Sequence, residues 1–152
     1  MEDKLKLAIL AIKSGTAIED VSHDIDWKDF EGLVAEILES KNFKVVRNFR
    51  LRQPTMEIDV IGTRLGTAVL IDCKHWKRMS HSALETIVRK QIERAKHYVS
   101  NTKIAIIVPV IVTLYQEETS FINRVPIVPI LQFSSFVDEF YGSLEKIKTI
   151  EK

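Results

Sequence analysis

The chain has 152 residues, 45% of them hydrophobic and 28% charged, which is long enough for one soluble globular domain with its own buried core. Its single cysteine, Cys73, excludes an internal disulfide and favours a reducing, cytoplasmic setting. The longest apolar run, residues 104–112, is far shorter than the about 20 residues that a membrane-spanning helix needs, so no membrane segment is expected.

The net charge of +1 combines three blocks of different sign. Residues 1–40 carry four lysines against ten acidic residues, a net −6. Residues 41–103 carry fourteen basic against five acidic residues, a net +9, and residues 104–152 carry four against six, a net −2. A basic middle segment suits contact with phosphates, since neutralising them releases counterions. The charges alone leave open the alternative that the acidic ends fold against the middle and cancel it.

The first half of the chain is predicted to form helices and then strands. An amphipathic helix is expected over residues 4–13, followed by a capped turn that Thr16 and Glu19 begin. A longer helix runs from Trp27 to about Lys41 and carries its apolar residues on one stripe. Three strands are predicted next, at residues 43–50, 56–62 and 67–76. The sequence TRLG indicates a tight turn between the last two strands.

A further helix and a buried strand follow. Ser82 and Glu85 form a capping box, which predicts a helix from Ser82 to about Val99. The wholly apolar run at 104–112 is typical of a strand in the centre of a sheet, where both faces are covered.

The last part of the chain is predicted to hold a minor strand and a helix. Pro126 and Pro129 restrict the segment IVPIL to an irregular or edge strand, and Ser135 with Asp138 starts the final helix. We therefore expect an α/β protein with a mixed α+β sheet flanked by helices. The predicted single domain, 1–152, consists of an N-terminal helical extension at 1–25, a core at 26–132 and a C-terminal helix at 133–152.

Three charged residues interrupt two otherwise apolar strands. Asp72 and Lys74 are two positions apart and therefore project from one face, while Cys73 projects from the other. Asp59 lies in the preceding strand, and a hairpin would bring it beside Asp72. Adjacent carboxylates repel unless a cation lies between them, and hard oxygen ligands suit Mg²⁺ or Mn²⁺. Lys74 would then position or deprotonate the attacking water. The alternative is an exposed edge strand, with Asp59 paired to an arginine.

Two polar residues lie on apolar helix stripes. Glu31 occupies the stripe of the Trp27 helix, and Gln91 lies in the middle of the stripe of the 82–99 helix. A buried polar side chain needs a partner, so each of them alone fits a structural hydrogen bond. Together with Asp59, Asp72 and Lys74 they indicate one shared polar site between the helices and the sheet.

The order of WKDFEGLVAEIL, EIDVIG and IDCKHW resembles the PD-(D/E)xK nuclease superfamily, in particular its Mrr-like and RecB-like branches and the archaeal Holliday-junction resolvases. The resemblance covers residues 27–112 and implies a restriction-endonuclease-like αβββαβ core that binds Mg²⁺ and cuts DNA. It implies that Glu31 is the helix glutamate, Asp59 the first motif aspartate, Asp72 the variable acid and Lys74 the motif lysine. Gln91 with Tyr98 is similar to the Gln-and-Tyr helix motif of RecB-like nucleases.

The resemblance thus implies a site with metal ligands, a catalytic lysine and surrounding basic residues. Asp59 and Asp72 are the expected metal ligands, with the backbone carbonyl of Cys73 as a third and Glu31 as a further candidate. Six cations are candidates for contact with the DNA backbone. They are Lys77, Arg78, Arg89, Lys90, Arg94 and Lys96. A solvated helix face accounts for the last four equally well.

The function expected is a Mg²⁺- or Mn²⁺-dependent deoxyribonuclease, acting as an endonuclease in restriction, recombination or DNA repair. One alternative is a non-catalytic nucleic-acid-binding or assembly module that keeps the nuclease fold, and another is a structural protein with a satisfied polar network. DNA is the expected partner, and a homodimer is expected by analogy with the superfamily.

Overall fold

The computed structural model describes residues 27–75, 79–114 and 118–152. The predicted N-terminal extension at 1–25 lies outside these described residues. The elements in chain order are α1 Trp27–Ser40, β1 Lys44–Arg52, β2 Thr55–Arg64, β3 Thr67–Lys74, α2 His81–Ser100, β4 Ile106–Thr113, β5 Ser120–Ile122, β6 Val125–Pro129, α3 Ile130–Glu139 with a 3₁₀ turn Phe140–Ser143, and β7 Ile150–Glu151.

The strands form one mixed sheet in the order β1-β2-β3-β4-β6-β5, with β7 beside β4. The β1, β2 and β3 strands are antiparallel neighbours, whereas β4 runs parallel to both β3 and β6. The helix α2 connects the parallel pair β3 and β4, as such a crossover requires. The expected αβββαβ core with a mixed sheet is therefore confirmed.

Helices cover both faces of the sheet. On one face, α1 and α3 pack over Val69, Ile71 and Cys73 of β3. On the other, α2 packs over Ala68 and Leu70 of the same strand. The alternation of side chains along β3 therefore sends its even-numbered residues towards α2. Within the described part of the chain, no helix is both long and apolar enough to cross a membrane.

The predicted TRLG turn is a two-residue hairpin loop. Arg64 pairs with Thr67 at its base, and Leu65 and Gly66 have positive φ values of 52° and 77°. Two central residues with positive φ are the mark of the hairpin turn whose twist matches that of the strands. This short loop sets the register of β2 against β3.

The N-cap of the α2 helix lies two residues before the predicted one. Its N-cap is Ser80, whose Oγ accepts a hydrogen bond from the Ala83 backbone N–H at 3.2 Å. Ser82 therefore lies inside the first turn, and the prediction of a cap at Ser82 with Glu85 is wrong. The helix continues to Ser100, one residue beyond the predicted end.

The C-terminal segment differs more from its prediction. The α3 helix begins at Ile130, directly after Pro129, so Ser135 lies within it rather than at its start. It ends at Glu139, and the two-residue strand β7 pairs antiparallel with β4 through Ile106 and Ile107. A helix over 133–152 is therefore wrong, because the last residues are strand that completes the β4 side of the sheet.

The strand β6 lies inside the sheet, although its two prolines predicted an edge. It pairs with β4 on one side and β5 on the other. The β4 pairing covers only Ile127, Val128 and Pro129, so Pro126 precedes that ladder and Pro129 ends it. The prolines are tolerated because neither lies in the middle of the β4 ladder.

The pairing of β1 with β2 is interrupted at one point. Arg47 pairs with Val60 and Phe49 with Ile58, while Asn48, which lies between them, has a φ of 54°. On β2, Ile58 and Ile61 both pack on the α2 face, whereas Val60 packs on the other face. Strict alternation therefore fails at Asp59, opposite Asn48. Local distortions of this kind are common on edge strands and beside active sites.

Candidate active site

The β2–β3 hairpin brings Asp59 and Asp72 to the same point of the sheet. The last backbone pair between these strands is Val60 with Ile71, so the two aspartates lie one position beyond it. There the Asp59 carboxylate accepts a hydrogen bond from the Cys73 backbone N–H, with Oδ2 2.9 Å from the nitrogen. The interrupted strand thus directs Asp59 to a donor that lies past the end of the ladder.

Asp59 ionises with difficulty in this position. Burial, together with the neighbouring carboxylates of Asp72 and Glu31, raises the pKa of its carboxyl from 3.8 to about 7. The hydrogen bond from Cys73 acts in the opposite direction. Two acidic groups held together in a partly buried place are stable as anions only when a cation compensates them.

Asp72 is buried, with 6% of its surface exposed, and faces two cations. Its Oδ2 lies 3.3 Å from Lys74 Nζ and 3.9 Å from Arg94 Nη1. This oxygen is fully buried and accepts no hydrogen bond of good geometry from any residue that the structure describes. A buried carboxylate oxygen of this kind is suited to binding a cation.

Gln91 is also buried, with 1% exposed, and its amide is fixed by the sheet. Its Nε2 donates to the Leu70 carbonyl oxygen at 2.8 Å and approaches the Val110 carbonyl oxygen at 3.5 Å. Its Oε1 accepts a hydrogen bond from Arg94 Nη1 at 3.0 Å. Gln91 therefore links the backbones of β3 and β4 to an arginine that faces Asp72.

Glu31 lies on α1, which covers the opposite face of the sheet from Gln91. Its Oε1 is 3.9 Å from Arg47 Nη2. Burial raises the pKa of Glu31, the Arg47 guanidinium lowers it, and the carboxylates of Glu57 and Asp72 raise it again. The glutamate thus interacts electrostatically with the aspartates, while its closest ionic partner is on β1.

Cys73 lies on β3 between Asp72 and Lys74, with its thiol in the core beneath α1. Burial raises the pKa of this thiol well above 9.0, and the nearby carboxylates raise it further. A neutral buried thiol fits a packing role. The backbone of Cys73, through its N–H, is the part that contacts Asp59.

A cleft opens at these residues. A cavity of about 340 Å³ is lined by Asp72 and Lys74 on the sheet and by Thr86, Lys90 and Arg94 on α2. The same three α2 residues also line a second cavity of about 500 Å³, which extends towards the beginning of β2. The two cavities thus form one groove along α2, with Asp72 and Lys74 at one end.

The donors in the cleft fit a hard divalent cation. Among the described residues, no three His, Cys, Asp or Glu side chains group as a metal site. Two carboxylates, Asp59 and Asp72, nevertheless suffice for Mg²⁺, which commonly keeps several waters and takes one or two carboxylates from the protein. The buried oxygen of Asp72 and the raised pKa of Asp59 both favour such a cation.

The six predicted DNA-contacting cations occupy different environments. Lys77 and Arg78 lie outside the described residues. Arg89 and Lys90 are exposed and line the groove. Lys96 lines neither cavity and is 3.8 Å from Glu93.

Arg94 is the site residue whose surroundings sequence reasoning missed. It was grouped with the surface cations, but its side chain is only 22% exposed and faces Gln91 and Asp72. A signal was present, because Arg94 follows Gln91 by three positions and therefore lies on the same helix face.

Comparisons with known proteins identify the family of the chain. A family model for the Mrr catalytic domain, described as "Restriction endonuclease", matches residues 22–113. No protein of curated function matches the sequence.

Six chains of solved structures are similar to this one. The small subunit (R.BspD6I2) of the heterodimeric restriction endonuclease R.BspD6I is 16% identical, with a TM-score of 0.51, over 97% of this chain and 82% of that subunit. A protein of unknown function, AF1548, is 20% identical with a TM-score of 0.44, over 56% of this chain and 45% of its own, so the match spans less than half its length. Because the Mrr catalytic-domain model covers more than half of its residues, the chain belongs to this restriction endonuclease family, within the PD-(D/E)xK superfamily.

Proposed function

We propose that the chain is a metal-dependent nuclease that hydrolyses DNA phosphodiester bonds, acting as an endonuclease in restriction, recombination or repair. The observation that carries the proposal is the pair of carboxylates Asp59 and Asp72, with Lys74 Nζ 3.3 Å from Asp72 Oδ2, beside a groove lined by cations. Charge of this kind is costly to keep in a sheet unless it binds an ion or reacts.

Asp59 and Asp72 would hold Mg²⁺ or Mn²⁺, with the Cys73 carbonyl as a further oxygen ligand. When bound, such an ion lowers the pKa of water and offsets the negative charge of a phosphate. Asp59 stays ionised near neutral pH only with this compensation, because its own pKa is about 7. Lys74 and Glu31, the side chains around this pair, would supply the other groups that the reaction needs.

Lys74 would orient the attacking water and stabilise charge on the phosphate. Its half-buried ammonium is held beside Asp72, so it is directed into the cleft rather than out to solvent. Glu31, on the α1 side, would act on the acidic pair through its negative charge, which raises the pKa of Asp59. In the reaction, the attacking water gives up a proton as its oxygen bonds to phosphorus, the bond to the leaving oxygen breaks, and that oxygen takes up a proton.

The groove along α2 supports a path for the DNA backbone. Arg89 and Lys90 are exposed on its wall, about one helical turn from Arg94. Cations in such a place bind phosphates without reading bases, and their contribution falls with salt. DNA is therefore the proposed substrate. A homodimer stays a prediction, tested by the mass of the purified protein in solution.

The test is a titration of Mg²⁺ and Mn²⁺ against labelled duplex, branched and single-stranded DNA. Wild-type protein should cleave only with the metal. The variants Asp72→Asn and Lys74→Ala should lose cleavage and keep the fold, as measured by circular dichroism.

A second Asp–Lys pair provides a matched control. Asp138 Oδ1 lies 2.7 Å from Lys41 Nζ on the α1–α3 face, away from the cleft. Asp138→Asn and Lys41→Ala remove the same chemical groups and should leave cleavage unchanged. Folded Asp72→Asn protein with wild-type cleavage would overturn the assignment. DNA binding without cleavage of any substrate would favour the non-catalytic module instead.

A further inference from the structure

Arg94 occupies a position between the buried amide of Gln91 and the buried carboxylate of Asp72. One nitrogen, Nη1, is 3.0 Å from Gln91 Oε1 and 3.9 Å from Asp72 Oδ2. The guanidinium is thus held from one side by a hydrogen bond and drawn to the other side by charge.

The Gln91 end of this arrangement is rigid. Its Nε2 is occupied by the carbonyl of Leu70 and faces that of Val110, so its Oε1 is left to face Arg94. A buried amide with donor and acceptor both engaged resists rotation, because turning it would break hydrogen bonds in a place shielded from solvent. Gln91 is therefore a fixed acceptor for the guanidinium.

The Asp72 end needs a positive charge. Asp72 is 6% exposed, and its neighbour Asp59 repels it. Lys74 supplies one cation, but the lysine is part of the proposed catalytic set and lies on the same strand. Arg94 supplies a second cation from α2, and a guanidinium stays charged at every relevant pH.

We propose that Arg94, held by Gln91, is a positioning residue that serves as the counter-cation of Asp72 whenever no divalent ion is bound. A divalent ion must then compete with Arg94 for the same carboxylate. This deepens the proposed function and rests on it for the part that concerns the metal. The role of Arg94 thus differs from that proposed for Lys90, which lines the same groove, is exposed and would contact only the DNA backbone.

The first experiment needs no metal and no DNA. Arg94→Met, Asp72→Asn and the double variant are unfolded with urea in the presence of EDTA. Arg94→Met should raise the unfolding equilibrium constant by roughly tenfold in the wild-type background and much less in the Asp72→Asn background, as coupled residues do. Effects that simply add would overturn the proposal.

Further variants extend this double-mutant cycle of Arg94 and Asp72. Lys96→Met removes a cation from the same helix, outside both cavities, and its effect should add to that of Asp72→Asn. Gln91→Met should shrink the coupling between Arg94 and Asp72, since the guanidinium loses its fixed acceptor. Full coupling in the Gln91→Met background would refute the positioning role. Arg94→Lys keeps the charge and should retain part of the coupling even if Arg94→Met folds poorly.

The second experiment measures Mn²⁺ binding to the free protein by calorimetry. Without its competitor, the site in Arg94→Met should bind Mn²⁺ roughly tenfold more tightly, within the range for coupled sites, and Lys96→Met should match the wild type. Unchanged or weaker binding by Arg94→Met would contradict the competition. If the wild type neither binds Mn²⁺ nor cleaves DNA, the proposed function fails, and the metal-free cycle still decides the role of Arg94.

Discussion

Replacing Asp59 by Asn should stabilise the metal-free protein above neutral pH and have no such effect in acid. The pKa of Asp59 rises from 3.8 to about 7 because the carboxyl is buried beside Asp72. Each unit of pKa difference between the folded and unfolded states corresponds to about 1.4 kcal/mol, so ionised Asp59 costs the fold at most about 4 kcal/mol. Because Asp59 is partly exposed, we expect a gain of about 2 to 4 kcal/mol for Asp59→Asn.

The pH dependence follows from the direction of this change. Between 3.8 and about 7 the folded protein binds more protons at Asp59 than the unfolded chain does. Stability from this group therefore falls as the pH rises through that range and stays low above it. Asparagine carries no charge to bury, and its amide oxygen still accepts the hydrogen bond from the Cys73 N–H.

The assay is urea unfolding with EDTA at about pH 4 and about pH 8.5, which lie on the two sides of the titration. The gain from Asp59→Asn should appear only at the higher pH. Asp138→Asn, the exposed control, should change the free energy of unfolding by less than about 1 kcal/mol at both. Adding Mg²⁺ should then stabilise the wild type more than Asp59→Asn, since ligands stabilise the state that binds them. An equal gain at both pH values, or a loss at the higher one, would refute this reasoning.

Three further predictions concern stability and the α1 side of the site. Gly62→Ala should lower the free energy of unfolding by about 1 to 3 kcal/mol, because a Cβ there would lie 2.9 Å from Leu38 Cδ1. Gly142→Ala, where a Cβ meets nothing within 4 Å, should change it little. Equal unfolding midpoints of the two variants would contradict this. Leu65→Asn should stabilise by about 0.5 to 1 kcal/mol, because asparagine suits the positive φ of the hairpin turn and this leucine is 78% exposed; a lower melting temperature would count against it. Glu31→Gln should lower cleavage while changing the free energy of unfolding by less than about 1 kcal/mol; unaltered kinetics would show that Glu31 acts only on the fold.

The sequence predicted the core of the fold because its periodicities are strong. Apolar stripes at helical spacing marked α1 and α2, and the apolar strand run marked β4. The TRLG turn identified the β2–β3 hairpin, and with it the proximity of Asp59 and Asp72. These predictions depended only on neighbours close in sequence, which is where patterns carry most information.

The parts that failed depend on contacts distant in sequence. The two residues of β7 have no periodicity, and they are strand only because β4 offers an unpaired edge at Ile106 and Ile107. The prolines of β6 predicted an edge, yet their positions relative to the β4 ladder decide that they are tolerated. Arg94 looked like a surface cation because the orientation of α2 over Asp72 is not visible in one helix alone.

The interruption at Asn48 lies on the outermost strand of the sheet, directly opposite Asp59 of the acidic pair. β1 is at the edge of the sheet, where local distortions of the backbone are common. We expect Asn48→Val, which disfavours a positive φ, to strain the backbone directly opposite Asp59, whose carboxylate accepts the hydrogen bond from the Cys73 N–H. A substitution on β1 is therefore a route to the acidic pair that leaves every residue of the cleft unchanged.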